Sequence, residues 1–333
     1  MIVNTFDFLL KILTFIFVYS FFCSFQVIAE DQVNPLQEAI LLNQVDKVSA
    51  LITGSPVALH ARNQTGQTLL ILAALKNNNS IVKILVSAGV DINAQDQKSW
   101  TALMYALKNK NSEMLSYLLE NKANPELMND VGETALMYAC NAGDKSLVDI
   151  LLDYKADMEK RDTQHGLTAL FYASIPGRSE IAKELLARGA NANEKDNYGY
   201  TPLMYAVESG KFEISELLIN NGADIDVVYD DSKSLLLMAI KKNRNKTEGK
   251  SNEYKKIIRI LITRGASLDI PDTNGFTPLM WAVKNEDMEI TRLLLDKGAN
   301  KNIENQQGET AIDIAKSKDH QALIELLNPG KDE

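Results

Sequence analysis

Thr201-Pro-Leu-Met-Tyr-Ala206 decides the fold, because near copies of it recur along the chain. The copies are Thr101-Ala-Leu-Met-Tyr-Ala106, Thr134-Ala-Leu-Met-Tyr-Ala139, Thr168-Ala-Leu-Phe-Tyr-Ala173 and Thr277-Pro-Leu-Met-Trp-Ala282, with weaker ones starting at Thr68, Ser234 and Thr310. Successive starts lie 33, 33, 34, 33, 33, 43 and 33 residues apart. A fixed period of this kind marks a unit that cannot bury its apolar face alone and must stack on its neighbours. The chain of 333 residues therefore needs no division into separate globular domains, since a stack grows in one dimension.

Each part of the unit has a physical role. Thr caps a first helix through its hydroxyl, and Pro at the next position suits a first helical turn. Leu and Ala three residues apart pack that helix against its neighbours, the Ala allowing close approach. A second helix carries paired apolar residues such as Leu185-Leu186, Leu217-Leu218 and Leu293-Leu294. It stops at Gly89, Gly189, Gly222, Gly265 or Gly298, where a left-handed residue is inexpensive only for Gly. Turns with Gly66, Gly132, Gly199, Gly275 and Gly308 then reverse the chain.

With its T-P-L start and this period, the chain resembles the ankyrin-repeat family, particularly bacterial exported members, over residues 34–328. The resemblance implies an all-α solenoid of helix-turn-helix units with projecting β-hairpin loops, about nine units including two caps. The expected organisation is a signal peptide over 1–29 and an N-terminal capping repeat over 30–62. Seven repeats follow at 63–95, 96–128, 129–161, 162–195, 196–228, 229–271 and 272–304, then a C-terminal cap and tail over 305–333. Three kinds of departure stand out. Lys122 and Lys155 replace the Gly that ends the second helix, and Ser99 and Lys233 replace the turn Gly. The family's His after T-P-L is absent, with Met104, Met137, Phe171, Met204 and Met280 in its place, so a less rigid hairpin is expected.

The first residues are foreign in composition. After Lys11 an apolar run from Ile12 to Phe25 leads to Val27-Ile-Ala29 and then Glu30-Asp31. A short apolar core before small residues fits a cleaved export signal, and the flanking charges agree with the remainder crossing. The alternative is an uncleaved anchor facing outside, lengthened by the Phe6–Leu10 run. Export implies the periplasm of a two-membrane bacterium, or secretion otherwise. A lipid attachment at Cys23 is disfavoured by Phe21 and Phe22 before it. Cys140 would then be a lone thiol, read as a small buried hydrophobe.

Composition excludes several functions. The net charge of −9 argues against broad nucleic-acid binding. His60, His165 and His320 fall in different units, so neither a metal site nor a catalytic triad can assemble from them. No phosphate-binding Gly-rich loop appears, so no enzyme activity, metal or cofactor is expected. The expected partner is another protein, bound by a monomer. In the ankyrin family, hairpin tips and the exposed ends of first helices make most partner contacts. That transfers to Trp100, Lys108, Asn141, Ile175, Tyr198, Tyr200, Glu208, Phe276 and Lys284. Trp100, Tyr198, Tyr200 and Phe276 lie where the fold does not call for aromatics, either as hot spots or as repeat drift. A second aromatic series, Tyr105, Tyr138, Tyr172, Tyr205 and Trp281, reads as framework with its polar atoms at an edge.

The unit with the long spacing holds the main irregularity. Lys241 to Lys256 carries seven basic residues (Lys241, Lys242, Arg244, Lys246, Lys250, Lys255 and Lys256) against Glu248 and Glu253. It reads as a lengthened inter-helix loop, either merely solvated or docking electrostatically to an acidic partner or an anionic surface.

Overall fold

In the computed structural model, residues 34–54, 59–229, 233–244 and 248–328 are described. The export-signal reading of 1–29 and the side chains of Lys246 and Lys250 lie outside the described residues. The chain divides into two compact units, Met1–Asn124 and Pro125–Glu333. The first holds α1 (Pro35–Leu41), α2 (Val45–Gly54), α3 (Leu69–Leu75), α4 (Asn79–Ser87), α5 (Ala102–Lys108) and α6 (Ser112–Glu120). The second runs from α7 (Ala135–Ala142), α8 (Lys145–Asp153), α9 (Ala169–Ser174) and α10 (Ser179–Ala187) to α11 (Pro202–Glu208) and α12 (Phe212–Asn220). It continues with α13 (Leu235–Asn243), α14 (Glu248–Thr263), α15 (Pro278–Lys284), α16 (Met288–Asp296), α17 (Ala311–Ser317) and α18 (Gln321–Leu327). Within each unit the odd-numbered helices pack in one row, each backed by its even-numbered partner, as an all-α repeat solenoid requires.

The capping Thr behaves as its chemistry predicts. Thr68, Thr101, Thr134, Thr201 and Thr277 each accept the amide three residues on, as does Ser234. Such a cap is worth about 1 kcal/mol. Thr168 makes no such bond, and Thr310 instead donates its amide and hydroxyl to Asp313. First helices are buried almost all round, as in α3 where Leu69 through Ala74 are all buried. They lie between two first helices and over a second one. Second helices bury one stripe only; α8 buries Leu147, Val148, Leu151 and Leu152.

The loop after each second helix pins the next repeat. The Asn93 side-chain Oδ1 accepts the Asn124 backbone N–H at 2.8 Å in the first unit. In the second unit Glu126 accepts from Asp157, Glu159 from Asn191, Asn193 from Asp224, Asp226 from Ser267 and Asp269 from Asn300. Each bond spans about one repeat, which gives the acidic and amide residues after the helix-ending Gly a structural role.

The departures resolve in different ways. Lys122 and Lys155 keep the left-handed backbone of the Gly they replace, at φ 68° and 63°, and Ser99 does so at 55°. A side chain there costs about 1 kcal/mol. Lys122→Gly and Lys155→Gly are each expected to raise the unfolding free energy by about that amount. Urea denaturation reads this directly, and no gain at either would show a relaxed lysine backbone.

The long unit corrects the loop reading of Lys241–Lys256. α14 is 16 residues long, against nine in α12 and α16, so most of the insertion extends the second helix. Tyr254 explains why the extension is held. It is only 4% exposed, and its hydroxyl donates to the Glu208 carbonyl oxygen at 2.7 Å in the preceding repeat. Its ring also fills the space above Gly210, where a Cβ would lie 3.0 Å from it. Among the described residues, no helix is long and apolar enough to cross a membrane.

Candidate functional site

The hairpins form one edge of each repeat row, and those of Asn63, Asp96, Asn129, Asp162, Asp196, Asp272 and Asn305 are each built around that one acidic or amide residue. Asp196 donates its amide to the Tyr200 carbonyl at 2.9 Å. Its Oδ1 accepts the amides of Tyr198 and Tyr200, both at 2.8 Å. This closed turn leaves Oδ2 free, and the Tyr205 hydroxyl from α11 donates to it at 2.8 Å. The same lock joins Asp96 to Tyr105 at 2.8 Å, Asp162 to Tyr172 at 3.2 Å and Asp272 to Trp281 Nε1 at 2.9 Å. At Asn129 and Asn305 the second atom is a donor instead, and it bonds Glu133 and Glu309. A carboxylate offers two acceptors, whereas an amide offers one acceptor and one donor group. At Asp96, Asp162, Asp196 and Asp272 the helix thus supplies an O–H or N–H, whereas at Asn129 and Asn305 the hairpin supplies a carboxylate and at Asn63 the Gln67 side-chain oxygen.

This lock accounts for Tyr105, Tyr172, Tyr205 and Trp281 of the aromatic series and corrects the expectation of a looser hairpin. The closing bond measures 2.9–3.0 Å in the hairpins of Asn63, Asp96, Asn129, Asp196, Asp272 and Asn305. Two methionines also replace part of what the missing His would do: Met137 and Met204 sulfurs accept the amides of Thr134 and Thr201. The locking phenols stay protonated. Burial, and then the Asp96 carboxylate, pushes the Tyr105 hydroxyl up to about 12. Burial raises Tyr172 and Tyr205 as well, reinforced by the carboxylates around them.

Three tip aromatics are not free of the fold. Trp100 lies 5.2 Å from Tyr105, Tyr200 5.6 Å from Tyr205 and Phe276 5.7 Å from Trp281, ring centre to ring centre. They shield the locks, which is why the fold uses aromatics there. Lys108 stands 5.6 Å over Trp100, and Lys284 stands 4.6 Å over Phe276. Tyr198 is covered far less: its ring lies 6.3 Å from that of His165, it is 68% exposed, and its backbone is tied to Asp196. Ile175, in the preceding repeat, is 36% exposed, and Asn141 and Glu208 are exposed at the ends of their first helices. Trp100 and Lys108 belong to the first unit, the other candidates to the second. Sequence reasoning missed Leu41, Leu42, Leu75 and Val131, all exposed. Leu75 follows Thr68 as Lys108 follows Thr101, so the period itself carried that signal.

The basic residues of the long unit are largely engaged. Lys241 donates to Asp272 at 2.8 Å and lies 4.5 Å over Trp281, completing the last lock from the neighbouring repeat. Burial opposes the charge on Asp272, yet Lys241, Trp281 and two backbone amides together hold its carboxyl below the usual range. Lys242 pairs with Glu208, Lys255 with Glu289 and Lys256 with Glu253. Cys140 is fully buried, and burial pushes its thiol up. Among the described residues, no group of three or more His, Cys, Asp or Glu could hold a metal ion.

The family model described as ankyrin repeats (3 copies) matches residues 7–96, 36–129, 70–162, 113–196, 143–229 and 249–332. No curated protein matches the chain.

Proposed function

The chain belongs to the ankyrin-repeat family, whose repeats are protein–protein interaction modules and generally non-enzymatic, and from this we propose an exported scaffold that binds a partner protein through its hairpin tips and first-helix ends. The observation that carries this reading is Tyr198. A large aromatic ring left 68% exposed on a backbone held by Asp196 loses little freedom on binding. Ile175 supplies an exposed apolar neighbour one repeat earlier, and exposed aromatic and apolar side chains of this kind form binding hot spots. Residues 1–29 support action outside the cytoplasm through their apolar run and small residues before Glu30.

Tyr198→Ala combined with Ile175→Asp is expected to abolish affinity capture of a partner from the cell-envelope fraction. Both side chains are exposed, so the melting temperature should stay near wild type. Undiminished capture would overturn the assignment of this surface. Mass determination of the mature N-terminus tests export: a chain beginning at Glu30 supports it. An intact residue 1 would point to the tethered alternative, in which the N-terminal segment anchors the repeats to a membrane.

A further inference from the structure

The last repeat ends the array with a face that every earlier repeat of the second unit covers. Phe171 of α9 meets Tyr205 of α11 edge-on at 5.9 Å, so the third residue after a capping Thr faces the following repeat. On that side α15 buries Leu279, Met280 and Val283, and α16 buries Thr291. The same four positions are buried in each earlier repeat of the second unit. In the last repeat they are Ile312, Asp313, Lys316 and Ile324. The two charged residues are exposed there and the two isoleucines only half-buried.

A solvent-facing end calls for polarity. It does not call for two isoleucines, nor for opposite charges one turn apart on the same side. Those features suit a twofold axis. α17 and α18 are each seven residues long and pack against one another as a helical hairpin, so their middles lie side by side. An axis crossing both helices at mid-length sets a second copy tail to tail on the first, each helix antiparallel to its counterpart. Ile324, the central residue of α18, then meets Ile324 of the second copy. Asp313 meets Lys316 of the second copy, and the same pair recurs across the axis, as a self-complementary contact requires. A head-to-tail contact is opposed by charge. Tyr205 is the fourth residue after its cap, and the corresponding residue of α1 is the exposed Glu38, which would face Asp313.

We infer that the chain pairs with a second copy of itself through this end face, Ile312 and Ile324 supplying the apolar contact and Asp313 and Lys316 the register. Exposed ion pairs add little affinity, but they fix orientation and reject like-charged alternatives. The area is that of one repeat junction, at the low end of specific interfaces, so a weak dimer with Kd of about 10 µM is expected. The inference departs from the monomer expected from the sequence. Tyr198 lies three repeats before the contact and stays clear of it. Two copies therefore present the proposed binding surface twice, and a partner with two epitopes is held more tightly than either surface alone would hold it.

Sedimentation velocity of the full chain should show a monomer–dimer equilibrium between about 1 and 100 µM. Lys316→Glu sets acids opposite acids and should raise Kd by about tenfold. Lys316 is exposed, so the melting temperature of this variant should stay near wild type, which separates pairing from folding. Asp313→Lys sets cations opposite cations and should weaken self-association likewise. An equimolar mixture of the two variants should form a one-to-one heterodimer, and Asp313→Lys combined with Lys316→Asp in one chain should restore the homodimer. Association through the apolar N-terminal run would respond to none of these charges. A chain that stays monomeric up to about 100 µM would overturn the inference. So would a dimer unchanged by Lys316→Glu, or a mixture that fails to pair. Partner capture through Tyr198 by a monomeric chain would sink the dimer and leave the scaffold reading standing.

Discussion

Asp272→Ala is expected to lower the unfolding free energy by about 4 kcal/mol, the largest loss from any hairpin residue. Four donors converge on this buried carboxylate: the amides of Asn274 and Phe276, Trp281 Nε1 and Lys241 Nζ. Removing it leaves an indole N–H and two amides without their acceptor, at roughly 1–3 kcal/mol for each group that water cannot reach. Asp272→Asn should cost about half as much, since Oδ1 can still close the turn while the new NH₂ faces two donors. The charge adds a pH signature. Because the folded carboxyl titrates below its unfolded value of about 4, the ionised group stabilises the fold above that value. That contribution is lost as pH falls through the folded value. The gap between wild type and Asp272→Ala should therefore narrow between pH 7 and acid conditions below about pH 3.5. Urea unfolding followed by circular dichroism measures both. A loss under about 1 kcal/mol at pH 7 would mean the lock does not hold the hairpin.

Tyr254→Ala is expected to cost about 3 kcal/mol, and Tyr254→Phe about 1 kcal/mol. The difference separates the two things this side chain does. Its ring is buried over Gly210, and its hydroxyl donates to the Glu208 carbonyl. The alanine variant loses both and leaves a cavity beneath the first turns of α14, whereas phenylalanine loses only the hydrogen bond. Hydrogen exchange of the α14 amides should rise in the alanine variant before the rest of the second unit is affected. If Tyr254→Ala were neutral, the extension would be a passive appendage.

The repeat units were legible because their cause is local and recurs. Thr at the helix start, Gly after the second helix and the Leu pairs each follow from backbone sterics or helical period, and eight starts reinforce one another. The long unit was misread because Lys241–Lys256 has no apolar period of its own. A single buried residue, Tyr254, turns a polar run into helix, and one aromatic in such a stretch is no signal before its neighbour is known. Trp100, Tyr200 and Phe276 were placed beside the turns, but their stacking on Tyr105, Tyr205 and Trp281 was not legible. Lys122 and Lys155 show the reverse case, where the expected left-handed backbone persisted although the residue changed.

The amino-acid sequence by itself determined that this chain stacks, where the helices of the regular units begin and end, and that its chemistry offers surfaces for binding. These follow from periodicity, capping and steric limits that act within one repeat. Only the tertiary structure decided which surfaces remain available. Lys241 and Lys255 look equivalent to Arg244 and Lys284 in a list of basic residues, yet the first two face carboxylates of the next repeat and, among the described residues, the others do not. Charge matching depends on distances of a few ångströms between residues about thirty or more positions apart, and packing alone sets those distances.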